Sequence, residues 1–92
     1  MRSINRERLQ TLRGATLIAD MRSPEYFRGG SLPEAKNLPL RNLLNELHRT
    51  DKKSNIVIVG NSVDESDMQM ACTYAEQLGF TKIYKSEITK LL

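Results

Sequence analysis

Few side chains in this 92-residue chain have types suited to chemistry, and their spacing narrows the choice further. The one cysteine, Cys72, falls in the series Met68, Ala71, Cys72, Ala75 and Leu78, the helical spacing of a buried stripe. A reactive thiolate needs an electropositive, accessible setting, whereas a cysteine on such a stripe reads as a small buried hydrophobe. The one histidine, His48, flanks the stripe Leu40, Leu43, Leu44 and Leu47 and reads as solvent-facing rather than as a base or ligand. One histidine, one cysteine and scattered acids at no ligand spacing build no metal site. Gly29-Gly30 follows a short helical stretch rather than a strand, so no nucleotide-type glycine loop is present. No metal and no cofactor is expected.

Two clusters remain. Asp20 and Arg22 follow an apolar strand-like run, which puts them at the carboxyl edge of a sheet, where α/β proteins place their sites. Direct chemistry is one reading; a carboxylate that caps local amides and pairs with Arg22 is the preferred one. The second cluster is the polar stretch Gly60, Asn61, Ser62, Val63, Asp64, Glu65, Ser66 and Asp67, which joins a β-branched run to the stripe that begins at Met68. The free amides of a helix entrance attract anions. Here Ser62, Asp64, Glu65 and Asp67 offer oxygens from inside the chain, and Ser62 with Glu65 fits a capping box. The expectation is a helix entrance that caps itself and repels sulfate-like anions.

The elements that must position these clusters alternate between strand and helix. Residues 3–13 read as a helix capped by Asn5, with Ile4 and Leu9 closing a hydrophobic staple. Residues 15–19 read as a strand, and Ser23-Pro24-Glu25 as a helix start whose Tyr26 and Phe27 pack inward. Residues 36–38 form a brief strand, and the leucine stripe a helix. Residues 56–59, four β-branched residues in succession, read as the sheet's central strand, covered on both faces. A helix ending at Gly79, a strand over residues 82–84 and a final turn over 87–92 complete the order. Such alternation implies an α/β, three-layer domain: a central, mostly parallel sheet flanked by helices, one domain over residues 1–92.

Composition agrees with a folded domain, at 39% hydrophobic and 27% charged residues. No apolar run approaches the roughly 20 residues that cross a bilayer, nor does the start resemble a secretion signal, so the expected location is cytoplasmic with no membrane contact. Arg2, Arg6, Arg8 and Arg13 make the N-terminal region basic, but without an aromatic platform or reading motif. They read as a solvated face, and nucleic acid is not an expected partner. A protein partner is left open.

Two segments are similar to a known family. Asp20-Met21-Arg22-Ser23-Pro24-Glu25-Tyr26-Phe27 resembles the Asp-x-Arg segment of rhodanese-like domains. Gly30-Ser31-Leu32-Pro33-Glu34-Ala35-Lys36-Asn37-Leu38-Pro39 resembles their Gly-His-Ile-Pro-Gly-Ala-x-Asn-Ile-Pro segment. The later strands and helix fall in the family's order. The resemblance implies the rhodanese-like fold, with Asp20, Arg22, Ser31, Pro33 and Asn37 as scaffold around the site. It also implies a sulfur-transferring cysteine directly after the central strand and an arginine at the start of the next helix. This chain has Gly60 in the cysteine's place, Asp67-Met68 where Arg-Ser is usual, and Ser31 for the histidine. Glycine carries no nucleophile. The implied function is therefore a non-catalytic rhodanese-like domain, either a binding or regulatory module or a decayed sulfurtransferase, with Gly60 to Asp67 a vestigial active-site loop. The alternative is a sulfurtransferase- or phosphatase-like enzyme that uses Cys72 or a partner's cysteine.

Overall fold

The computed structural model describes residues 2–92. Among these residues, five parallel strands form one sheet in the order β1-β5-β4-β2-β3. They are β1 (Arg2–Ser3), β2 (Thr16–Asp20), β3 (Lys36–Asn37), β4 (Asn55–Gly60) and β5 (Ile83–Glu87). The helices are α1 (Arg6–Thr11), α2 (Pro24–Arg28), α3 (Leu40–Arg49) and α4 (Glu65–Leu78), with 3-10 turns at Ser62–Asp64 and Ile88–Lys90.

The unbroken apolar run in β4 follows from its central place. Ile56 and Ile58 enter one core with Leu43, Leu47, Met68, Ala71, Cys72 and Ala75 from α3 and α4. Val57 and Val59 enter a second core with Ile4, Tyr84, Ile88 and Leu91. Side chains alternate across a strand, so a strand buried on both faces has no polar position to give. Each fully buried Leu or Ile contributes about 1.5–3 kcal/mol relative to exposure. The two faces are unequally clothed. α3 and α4 cover one, while the other has only α1 and the C-terminal turn, leaving a groove of about 870 Å³ over Leu9, Leu12, Ile18 and Leu32.

Several local expectations change. The N-terminal helix is shorter than residues 3–13, because Arg2 and Ser3 pair with Tyr84 and Lys85 as an edge strand. Asn5 does cap it, its Oδ1 accepting from the Arg8 amide at 2.8 Å. Tyr26 does not pack inward and is 60% exposed, on a five-residue helix that buries none of its residues. Ser23 makes no side-chain cap there, and Pro24 at the first turn has no amide to satisfy. Helix α4 begins at Glu65, one turn before the apolar stripe.

Candidate functional site at the carboxyl edge of the sheet

Asp20 is the last residue of β2 and Gly60 the last of β4, so the register brings both to the same edge. The Asp20 carboxylate is fully buried and entirely spoken for. Arg22 Nε donates to both its oxygens at 3.0 and 3.1 Å, Arg22 Nη2 to Oδ2 at 2.7 Å, and the Arg22 amide to Oδ1 at 3.1 Å. Ser31 Oγ donates to Oδ2 at 2.6 Å. Burial alone would raise the Asp20 carboxyl; the hydrogen bonds from Arg22 and Ser31 outweigh it and hold it below its usual value.

The pair then ties three loops together. Arg22 Nη2 also donates to the Gly30 carbonyl at 2.6 Å, holding the segment that follows α2. Asn37 Nδ2 donates to the carbonyls of Asp20 and Arg22 at 3.1 and 2.8 Å, bridging β3 to the end of β2. Pro33 lies outside this network. It opens a tight turn closed by the Ala35 amide on the Leu32 carbonyl at 3.1 Å, with Glu34 at φ +65°. That is the form of a type II turn, with proline first and a left-handed residue second.

At Gly60 the limiting factor is space. Its φ is not in the left-handed region, yet a β-carbon there would lie 2.9 Å from Met68 Sδ, 3.0 Å from Asp64 Cβ and 3.1 Å from Asp64 Oδ2. Asp64 is fixed in that position because its Oδ2 accepts from the Asn61 amide at 2.9 Å, while its own amide donates to the Asn61 carbonyl at 2.9 Å. The capping box is thus Asn61 with Asp64, one residue earlier than Ser62 with Glu65. A 3-10 turn at Ser62–Asp64 precedes α4 and shifts the cap.

The other loop residues do less. Glu65 is drawn off to an ion pair with Lys85. Ser62, Ser66 and Asp67 are exposed, and Val63 is 84% exposed at the loop's tip. Arg22 is held above its ordinary value first by the Asp20 hydrogen bond, with a smaller contribution from Asp64. The field of the Asp64 carboxylate therefore reaches the Asp20–Arg22 pair. Sequence reasoning placed Met68 only on a helix stripe; its contact with position 60 had no signal beyond the glycine itself.

Cys72 is fully buried in α4, and burial pushes its thiol up to about 11. His48 is exposed, with Nε2 2.5 Å from the Tyr74 hydroxyl. Among the described residues no group of three or more His, Cys, Asp or Glu is placed to hold a metal. No helix among them is long and apolar enough to cross a membrane.

A family model for the rhodanese-like domain matches residues 5–87. The chain belongs to the rhodanese-like domain family. Solved structures agree on the fold. A rhodanese-related protein from Thermoplasma volcanium matches with a TM-score of 0.72 at 23% identity, over 95% of this chain and 84% of that one. A rhodanese from E. coli, solved with anions, gives 0.70 at 19% identity, over 83% and 91% of the two chains. A rhodanese-like domain from Anabaena sp. gives 0.70 at 22%, over 94% and 66%. A search of curated proteins found no match.

Proposed function

We propose that residues 1–92 form a single non-catalytic rhodanese-like domain, a binding or regulatory module or a decayed sulfurtransferase, with Gly60 to Asp67 as its vestigial active-site loop. The observation that carries this reading is the packing at Gly60. At the position where family resemblance expects a cysteine, a β-carbon would stand 2.9 Å from Met68 Sδ and 3.0 Å from Asp64 Cβ, so those side chains would have to shift to admit it. Asp64 also meets the Asn61 amide that an open loop would offer to an anion. The E. coli relative was solved with anions; here a carboxylate of the chain itself stands for one and repels another by like charge.

The enzymatic alternative through Cys72 draws no support from its surroundings. A thiol buried in a helix stripe and pushed up to about 11 stays protonated near neutrality. A lone cysteine kept reduced fits a cytoplasmic setting.

The test is a titration with thiosulfate and sulfate, followed by amide chemical shifts. The expected result is no saturable shift at residues 60–67. Sub-millimolar binding at this loop would overturn the reading and make the loop a ligand site. In Asp64→Asn, weak binding of either anion should appear.

A further inference from the structure

Three of the basic N-terminal residues, though exposed, share one cavity with Lys82. Arg2 from β1, Arg8 and Arg13 from the end of α1 and just beyond it, and Lys82 before β5 line one cavity of about 520 Å³. It lies where β4 and β5 begin, at the sheet edge opposite Gly60. No acidic residue lines it, and among the described residues none of these four cations pairs with a carboxylate.

The backbones that carry them are fixed. The Arg8 amide donates to Asn5, and the Arg13 carbonyl accepts from Asn55 Nδ2 at 2.9 Å. The Lys82 carbonyl accepts from the Ile56 amide at 2.8 Å, and Arg2 is paired in register with Tyr84. Tyr84 supplies a second, independent observation. It lines the same cavity, is only 3% exposed, and its hydroxyl has no hydrogen-bond partner among the described residues. That oxygen is not sealed in the core; it is open to solution, as the four cations are.

A hydroxyl open to solution can donate to a ligand, and cations gathered without a counter-charge make a positive potential that attracts anions. A single occupant answers both: an anion with several oxygens. Three of the four cations are arginines, whose planar forks suit the paired oxygens of phosphate. The volume lies within the roughly 300–1,000 Å³ of small-molecule sites. We propose that the cavity bounded by Arg2, Arg8, Arg13, Lys82 and the Tyr84 hydroxyl binds a phosphate-bearing small molecule with at least two negative charges. The site is independent of the Gly60 loop, and its failure would leave the reading of that loop untouched.

The experiment titrates the whole chain with orthophosphate, pyrophosphate and tripolyphosphate at fixed ionic strength, followed by amide shifts and calorimetry. Saturable shifts are expected around Arg2, Arg8, Arg13, Lys82 and Tyr84, with affinity rising along that series. Arg8→Gln with Arg13→Gln should weaken tripolyphosphate about tenfold or more, the scale of charge-assisted hydrogen bonds. Tyr84→Phe, which keeps the ring, should weaken it about three- to tenfold. Arg41→Gln, on α3 at the other face of the sheet, should leave it unchanged. Absence of saturation, or equal weakening by Arg41→Gln, would overturn the site. A single-stranded oligonucleotide that binds more tightly than tripolyphosphate, and loses affinity equally on Arg41→Gln, would replace it with diffuse polyanion binding.

Discussion

Asp64 Oδ2 stands 3.1 Å from the point that a β-carbon on Gly60 would occupy, while it accepts from the Asn61 amide at 2.9 Å. One carboxylate thus both closes the loop and crowds the end of the central strand. Ordinarily alanine would stabilise a strand over glycine by about 0.5–1 kcal/mol. Overpacking costs about 1–3 kcal/mol and should prevail at this position. Gly60→Ala is therefore expected to destabilise, and less so in an Asp64→Gly background, which removes both Asp64 contacts. A double-mutant cycle from urea unfolding measures the coupling; additive effects would mean that Asp64 does not confine position 60.

The Asp20–Arg22 pair should dominate the acid limb of stability. Asp20 is depressed in the folded state, against about 3.9 when unfolded. Its contribution is fully present above the unfolded value and is lost as pH falls through the lower folded one. Arg22→Met leaves a buried carboxylate without its cation and should cost about 3–5 kcal/mol near neutrality. Ser31→Ala removes one charge-assisted bond and should cost about 1.5–3 kcal/mol. Urea unfolding from pH 2 to 7 checks both: Asp20→Asn should flatten the acid limb, whereas an unchanged slope would assign that limb to other carboxylates.

Cys72 should behave as core. Its thiol, pushed up to about 11, stays protonated where an unfolded cysteine, near 8.5, ionises. Folding then binds the proton more tightly than the unfolded chain does, so stability should fall as pH rises from about 8.5 toward 11. Native labelling by a thiol reagent at pH 8 should run far slower than in urea. Comparable rates would show that the helix stripe opens readily.

The turn at Pro33 carries local strain. Glu34 holds φ +65° without being glycine, which costs about 1–2 kcal/mol for an ordinary side chain. Glu34→Gly should stabilise the domain by about 0.5–1 kcal/mol, once glycine's greater unfolded-state freedom is set against the relief. Thermal unfolding reads the sign directly. A lower midpoint would mean that the Glu34 side chain contributes more than its backbone costs.

Much of this was legible from residue order because strand and helix periods leave separate marks. The run Ile56 to Val59 announced a strand buried on both faces, and Leu43 with Leu47 announced the inward face of α3. The Asp20–Arg22 pair was readable because a carboxylate at a strand end needs partners close by. The cap at Asn61 is not legible because Asn61–Asp64 and Ser62–Glu65 fit the same spacing, and only the intervening 3-10 turn decides between them. The edge strand β1 leaves no mark in the sequence because a two-residue strand has no period. Met68 against Gly60, and Arg2 beside Lys82, are juxtapositions of distant segments that no local pattern encodes.

The most direct test of the central claim is a thiosulfate:cyanide sulfurtransferase assay, with cyanolysis of any protein-bound persulfide. It is run on the unaltered chain, on Cys72→Ala, and on Gly60→Cys with Met68→Ala and Asp64→Gly, which supplies a thiol and removes the atoms nearest to it. A non-catalytic domain predicts no turnover and no cyanolysable sulfur in the first two. Turnover by the unaltered chain that disappears in Cys72→Ala would contradict the account and make Cys72 the nucleophile of an enzyme.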